Sequence, residues 1–164
     1  MQNVVRPIAE ILFTSYLVPA LLLPLVWIAG AWRRRRAAAA GGEAGPNPRR
    51  WFTLHGGLSA ALIAAWLAGA LGVPIEHGGA AITLAAWLAF VALQLSFAAL
   101  GVAVTRDVSA APEGEPRDRL FAAFLGFTLL QPVGTAAALG VLYRLMRLVY
   151  HQTLPMLDVV PEGI

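Results

Sequence analysis

One uncharged stretch of 25 residues, Ala80–Val104, constrains the fold of this chain more than any other sequence feature. As a helix rising 1.5 Å per residue it would span ~37 Å, which exceeds the ~30 Å hydrocarbon core of a bilayer. Within hydrocarbon no water is present to satisfy backbone N–H and C=O groups, and a helix satisfies them within its own segment. The stretch therefore predicts a transmembrane α-helix.

Three further apolar runs extend this prediction to the whole chain. Hydrophobic residues make up 59% of the 164 residues and charged residues 13%, with a mean hydropathy of +0.69. These values are too apolar for an ordinary soluble domain. The sequence predicts an all-α polytopic membrane protein, a single domain over residues 1–164 that forms a small bundle of four hydrophobic helices. We place the helices at about 11–32, 51–73, 80–104 and 120–150.

The fourth run is interrupted in its middle by the sequence Gln131-Pro132-Val133-Gly134. We predict a helix that is broken near Gln131-Pro132. Such a segment either crosses the bilayer once or re-enters as a hairpin, and both alternatives stay open at this point. The first half, Leu120–Leu130, would span only ~16 Å as a helix, about half of the hydrocarbon core.

Arginines between the apolar runs predict the orientation of the chain. All twelve basic residues are arginine; six lie in the loop 33–50 and three in the loop 105–119. Because cytoplasmic loops are enriched in positive charge, we expect both loops in the cytoplasm and the N-terminus outside, in a bacterial inner membrane. Arg144 and Arg147 would lie outside if the fourth run crosses once, and inside if it re-enters.

The first arginine-rich loop also carries the residues that we expect to anchor the chain at anionic lipid headgroups. Tryptophan and arginine are typical of the membrane–water interface. A nucleic-acid-binding protein would instead present its basic residues on one folded soluble surface, so we expect no nucleic-acid partner despite the sequence pI of about 10.2. The predicted anchors are Arg33, Arg34, Arg35, Arg36, Arg49, Arg50, Trp32 and Trp51.

Small residues line one side of the second run, Trp51–Val73, in two adjacent rows at i, i+4 spacing. They are Gly56, Ala60, Ala64, Ala68 and Gly72 in one row, and Gly57, Ala61, Ala65 and Gly69 in the other. Helices associate in lipid mainly where small side chains let two backbones approach closely. We therefore predict that these residues form a helix-packing face that receives the first or third helix. The opposite side, with Leu58, Leu62 and Trp66, would then face lipid or a partner.

Few residues could carry chemistry. The chain has no cysteine, and two of its three histidines, His55 and His77, lie ~33 Å apart along one helix, too far to share a metal ion. No phosphate-binding loop, HExxH motif or nucleophile elbow is present, and no cofactor is indicated. The polar residues predicted inside the membrane are Gln94, Ser59 and Gln131. We expect them to form hydrogen bonds between helices, and Gln94 and Ser59 lie at similar depth.

These features favour a non-catalytic membrane subunit, an assembly or scaffold partner in a larger membrane complex that packs through small-residue helix faces. An alternative is a small transporter or channel component. Pro19, Pro24 and the interrupted fourth run favour that alternative, whereas ion and proton pathways usually contain ionisable residues at mid-membrane, which this chain lacks.

Three stretches suggest another alternative. They are Ala89–Asp107, Leu129–Pro132 with the sequence LLQP, and Tyr143–Tyr150 with the sequence YRLMRLVY. Together they resemble the C-terminal membrane segment of family 2 polysaccharide glycosyltransferases. The cytosolic domain of those enzymes, with its aspartate motifs, has no counterpart in this sequence. The resemblance implies a membrane companion of such a glycosyltransferase.

Overall fold

The computed structural model describes residues 2–41, 47–70, 79–110 and 113–153. This part of the chain forms four α-helices, and each is long and apolar enough to cross a membrane. They are α1 (Gln2–Ala39), α2 (Pro48–Ala70), α3 (Gly79–Ala110) and α4 (Glu115–Thr153). The predicted all-α bundle of four hydrophobic helices is confirmed. Each of α1, α3 and α4 continues beyond its apolar run into the flanking polar residues.

The fourth helix continues through the predicted break near Gln131-Pro132. Helix α4 is a single element from Glu115 to Thr153 with Pro132 inside it, so the structure has no re-entrant hairpin over this segment. Proline lacks the N–H that would donate to the carbonyl four residues earlier. Transmembrane helices tolerate this loss when a neighbouring helix supplies another donor. At Pro132 the interruption is therefore one missing backbone hydrogen bond, while the helix itself goes on.

Helix α3 lies at the centre of the bundle. It packs against α1, α2 and α4, whereas no Cα of α1 lies within 8 Å of a Cα of α2 in the described part of the chain. Over its most apolar 18 residues α3 is 56% buried, compared with 17% for α2 and 11% for α1. The core consists of side chains from α2, α3 and α4, including Leu62, Phe90, Leu93, Ala138 and Leu142.

The prediction that the small face of α2 receives the first or third helix is wrong. His55, Ser59 and Leu62, at i, i+4 and i+7, are the residues that α2 buries. Most of the predicted packing residues lie outside: Gly57, Ala60, Ala61, Ala64 and Ala65 are exposed, Gly56, Ala68 and Gly69 are half-buried, and Gly72 lies outside the described residues. The reason is polarity, because an imidazole and a hydroxyl are costly in lipid and turn their side of the helix inward.

Helices α2 and α4 run in the same direction, and glycines let their side chains interlock. Four close approaches follow one another along the pair, each with a glycine on one helix: Gly56 with Phe127, Ser59 with Gly134, Trp66 with Gly140, and Gly69 with Arg144. At Gly140 an added Cβ would lie 2.6 Å from the Trp66 ring. Glycines on both helices therefore permit this close packing, and only two of them belong to the predicted small face.

Candidate functional site

A network of fully buried polar side chains joins three of the four helices. The Gln131 side-chain amide on α4 donates to Gln94 Oε1 on α3 at 3.0 Å. The same amide nitrogen donates to the backbone carbonyl of Ser15 on α1 at 3.3 Å. Gln94 in turn donates to Thr135 Oγ1 on α4 at 3.3 Å. Lipid tails are as apolar as the side chains of a helix, so apolar contacts alone give a helix little preference for another helix over lipid. Hydrogen bonds between helices supply such a preference.

The structure brings together two of the three predicted intramembrane polar residues. Gln94 and Gln131 share a hydrogen bond, whereas Ser59 lies beside Gly134. Ser59 is fully buried, and its hydroxyl has no hydrogen-bond partner among the described residues; the same is true of Gln131 Oε1. Ser59 and Gln94 share no hydrogen bond; each lies beside α4, Ser59 at Gly134 and Gln94 at Thr135.

Pro132 leaves the Thr128 carbonyl of α4 without its helical donor, and α1 supplies a replacement. The Tyr16 hydroxyl donates to the Thr128 carbonyl oxygen at 2.9 Å. Thr128 is the residue four positions before Pro132, whose ring nitrogen carries no hydrogen. The Tyr16 hydroxyl therefore occupies the role of the missing backbone N–H.

A corresponding replacement occurs at Pro19 of α1, where the new donor comes from α4. Pro19 cannot donate to the carbonyl of Ser15, four residues earlier. Gln131 of α4 provides the donor instead, through its side-chain amide. Each helix thus satisfies a carbonyl that a proline of the other helix has released. These two bonds attach α1 to α4, although the outer surface of α1 is largely exposed.

His55 forms a second polar contact, between α2 and α3. Its Nδ1 lies 3.0 Å from Ser96 Oγ, and its ring packs against Phe97 and Phe127 with centroid distances of 5.2 and 5.8 Å. The Ser96 hydroxyl donates its one proton to the Leu93 carbonyl. It can therefore only accept from the imidazole, which places the histidine proton on Nδ1. Nε2 is left as an acceptor without a partner in the described residues.

Sequence reasoning considered His55 only as a metal ligand and missed its role in packing. The available signal was its spacing from Ser59 and Leu62, which puts all three on one stripe of the helix. Ser15, Tyr16, Thr128 and Thr135 were also missed. Hydroxyl groups are common in apolar helices, and nothing in the sequence shows which hydrogen-bond partner each of these residues will have.

No family model, curated protein or solved structure matches this chain. The buried polar groups of the described residues are four hydroxyls, two amides and one imidazole: Ser15, Ser59, Ser96, Thr135, Gln94, Gln131 and His55. Most of them bond to each other or to backbone carbonyls, an arrangement that fixes the relative positions of helices.

The predicted headgroup anchors lie at the end of α1 and the start of α2. The Arg36 guanidinium stacks on the Trp32 ring, 3.7 Å from its centroid. Arg33 and Arg34 line a cleft between α1 and α3 together with Trp32 and Trp51. Arg35, Arg49 and Arg50 do not line this cleft. The anchors therefore divide into residues that border a cleft and residues on the open surface.

Proposed function

We propose that this protein is a non-catalytic membrane subunit that assembles into a larger membrane complex through one surface of α2. We call this surface the outward small face and define it as Gly57, Ala61 and Ala64. The partner is a transmembrane helix of another subunit. Within the complex, the network around Gln94 and Gln131 keeps the bundle rigid, so that this face is presented in a fixed position.

The exposure of the outward small face is the observation that carries this proposal. Gly57, Ala61 and Ala64 are exposed and lie at i, i+4 and i+7, on the side of α2 opposite to His55, Ser59 and Leu62. A Cβ added at Gly57 would meet no atom within 4 Å. The backbone of α2 is thus directly accessible from outside the bundle along two turns of the helix.

The outer surface of α1 has a different character. It bears large side chains, with Leu21, Leu25, Trp27 and Ile28 each at least 60% exposed. Large apolar side chains interact with lipid tails as favourably as with a neighbouring helix. They therefore give no reason for a second helix to bind. An accessible backbone does give a reason, because close helix approach gains van der Waals contact and brings in weak Cα–H···O bonds. The outward small face therefore favours a helix partner over lipid.

We propose the bacterial inner membrane as the location, with the N-terminus outside and loops 33–50 and 105–119 in the cytoplasm. The continuity of α4 supports a single crossing, and in this orientation Arg144 and Arg147 would join Arg6 on the outer side. Nine arginines are then cytoplasmic and three are outside, which supports this orientation.

Affinity purification from native membranes in a mild detergent tests the assembly. We expect the tagged protein to retain a stoichiometric membrane partner, and Ala64→Leu to reduce the retained partner at least tenfold. Ala122→Leu is the matched control, because Ala122 is an exposed alanine on α4. The Ala122→Leu protein should retain the partner at the wild-type level. A monomeric wild-type protein, or equal retention by both variants, would refute the proposal.

A membrane companion of a family 2 glycosyltransferase is a second, more specific candidate. Two of the stretches that resemble those enzymes contain Gln94 and Gln131, and these glutamines bond to each other in the packed α3–α4 pair. Mass spectrometry of the retained partner decides between the candidates. A glycosyltransferase among the retained chains would support the second, and a partner of another class would exclude it.

A further inference from the structure

The cleft between α1 and α3 is lined by residues of these two helices and by Trp51 of α2. No Cα of α1 lies within 8 Å of a Cα of α2 in the described part of the chain, so the two helices stand apart on α3. The volume of the cleft is about 430 Å³. The residues that form its apolar part include Val26, Ala29, Gly30, Leu95, Ala99 and Ala103.

Small side chains account for the depth of the cleft. Ala29 and Gly30 on α1 face Ala99 and Ala103 on α3, and none of them extends beyond Cβ. Along α3 the cleft extends from Leu95 to Ala103, or ~12 Å at 1.5 Å per residue. The result is an elongated apolar groove that runs along the helix axes.

One end of the groove is positively charged. Arg33 and Arg34 line it, and no acidic side chain does. Neither arginine takes part in an ion pair within the described residues. The Arg34 guanidinium folds back over Gly30, where an added Cβ would lie 3.4 Å from its Nη1. Two guanidinium groups without partners therefore stand directly beside an apolar groove.

Two tryptophans indicate that the charged end of the groove lies at the membrane–water interface. Trp32 and Trp51 both line the groove, and tryptophan is enriched where hydrocarbon meets headgroups. The charged end thus lies at headgroup depth and the apolar part lies in the hydrocarbon. This is the order of groups along a phospholipid molecule.

We propose that this groove is a binding site for one anionic phospholipid. The lipid phosphate lies between Arg33 and Arg34, whose planar guanidinium groups match phosphate oxygens in geometry and charge. One acyl chain follows the groove along Leu95 and Val102, the lining residues of α3 that remain accessible. A soluble phosphate compound would leave this apolar length empty, so the occupant is a lipid.

A neighbouring cleft strengthens the charge at the proposed headgroup position. Its volume is about 570 Å³, and it shares Arg34 and Val102 with the first cleft. Arg106 on α3 lines this second cleft with Pro24 and Trp27 on α1. The second cleft therefore adds a third arginine near Arg34, and it offers room for the other acyl chain.

Native mass spectrometry of the purified protein in detergent tests the site, with phosphatidylglycerol as the anionic probe and phosphatidylcholine as the zwitterionic one. We expect one phosphatidylglycerol to remain bound, with at least tenfold preference over phosphatidylcholine. The double variant Arg33→Gln, Arg34→Gln should weaken phosphatidylglycerol binding at least tenfold. The control Arg49→Gln, Arg50→Gln removes the same charge outside the groove and should change binding less than twofold. Equal losses in both double variants would show a general electrostatic attraction and overturn the proposal.

A second variant tests the apolar part of the site without changing charge. Ala29→Trp fills the groove from the exposed side of α1 and should reduce phosphatidylglycerol binding at least tenfold. Its circular dichroism and elution volume should match those of the wild type, since Ala29 is exposed. Undiminished lipid binding by a folded Ala29→Trp protein would overturn the acyl-chain position, and with it the site.

Discussion

The Tyr16 hydroxyl and the Thr128 carbonyl lie 2.9 Å apart in a hydrogen bond that replaces the one removed by Pro132. The residues are 112 positions apart in the chain and belong to α1 and α4. In the same way, the Gln131 amide of α4 donates to the Ser15 carbonyl of α1, which has no backbone donor because of Pro19. Pro19 and Pro132 therefore free the two backbone carbonyls that accept the hydrogen bonds between α1 and α4.

This relationship predicts a dependence between Tyr16 and Pro132. Tyr16→Phe removes the donor and should lower the free energy of unfolding by about 1 kcal/mol, within the range of interhelical hydrogen bonds in membranes. In a Pro132→Ala background the new backbone N–H can bond to Thr128, so Tyr16→Phe should cost less than about half as much. Reversible unfolding in mixed detergent micelles measures this double-mutant cycle. Equal costs in both backgrounds would show that the hydroxyl does not replace the proline N–H.

The network around Gln94 makes a second prediction. Thr135→Val keeps the shape of the side chain but removes the acceptor for the Gln94 amide, and should destabilise the bundle by about 1–2 kcal/mol. Thr128→Val is the control, since among the described residues the Thr128 hydroxyl bonds to the Phe124 carbonyl of its own helix and to no other helix. It should change the unfolding free energy by less than about 0.5 kcal/mol. A Thr128→Val cost as large as that of Thr135→Val would contradict the role of the network.

The contact between α2 and α4 is tested at two glycines of α4. Gly140→Ala forces the Trp66 ring to move, and should destabilise the bundle by about 1 kcal/mol despite the better helix propensity of alanine. Gly126→Ala introduces the same methyl group where nothing lies within 4 Å, and should be neutral or stabilising by up to about 1 kcal/mol. The same unfolding assay compares them. Stabilisation by both substitutions would mean that Trp66 does not pack against Gly140.

The hydrogen bonds of Ser96 predict the tautomer of His55. Because Ser96 donates to the Leu93 carbonyl, the imidazole proton should reside on Nδ1, with Nε2 unprotonated. Nitrogen-15 NMR of histidine-labelled protein in micelles distinguishes the two ring nitrogens. In Ser96→Ala protein this preference should weaken. Protonation of Nε2 in the wild-type protein would contradict the described contact.

Some of this arrangement could be predicted from the sequence because polarity is visible in an apolar run. Gln94 and Gln131 stand out in this way, and the prediction that such residues form interhelical hydrogen bonds led to two members of the network. Their partners were not predictable. The pairing of Tyr16 with Thr128 depends on how far α1 is shifted along α4, and no local sequence rule sets that shift.

The inward side of α2 was harder to predict for a different reason. Small residues surround much of this helix, and their two rows at i, i+4 spacing form the more conspicuous pattern. The pattern of polar residues is weaker, because it consists of only two side chains. The weaker pattern, His55 with Ser59, decides the orientation because burying two polar groups outweighs the packing advantage of alanine. The small-residue rows remain informative, since they predict a contact surface that the bundle itself leaves uncovered.

Cross-linking from Ala61 in native membranes tests the proposed assembly most directly. The chain has no cysteine, so Ala61→Cys can be labelled uniquely with a thiol-reactive photo-cross-linker, and Ala122→Cys on α4 is the control. On illumination, Ala61 is predicted to yield one discrete adduct with a different membrane protein, and Ala122 no such adduct. Adducts only with lipid or with a second copy of this chain, or equal yields at both positions, would contradict a subunit that docks through the outward small face.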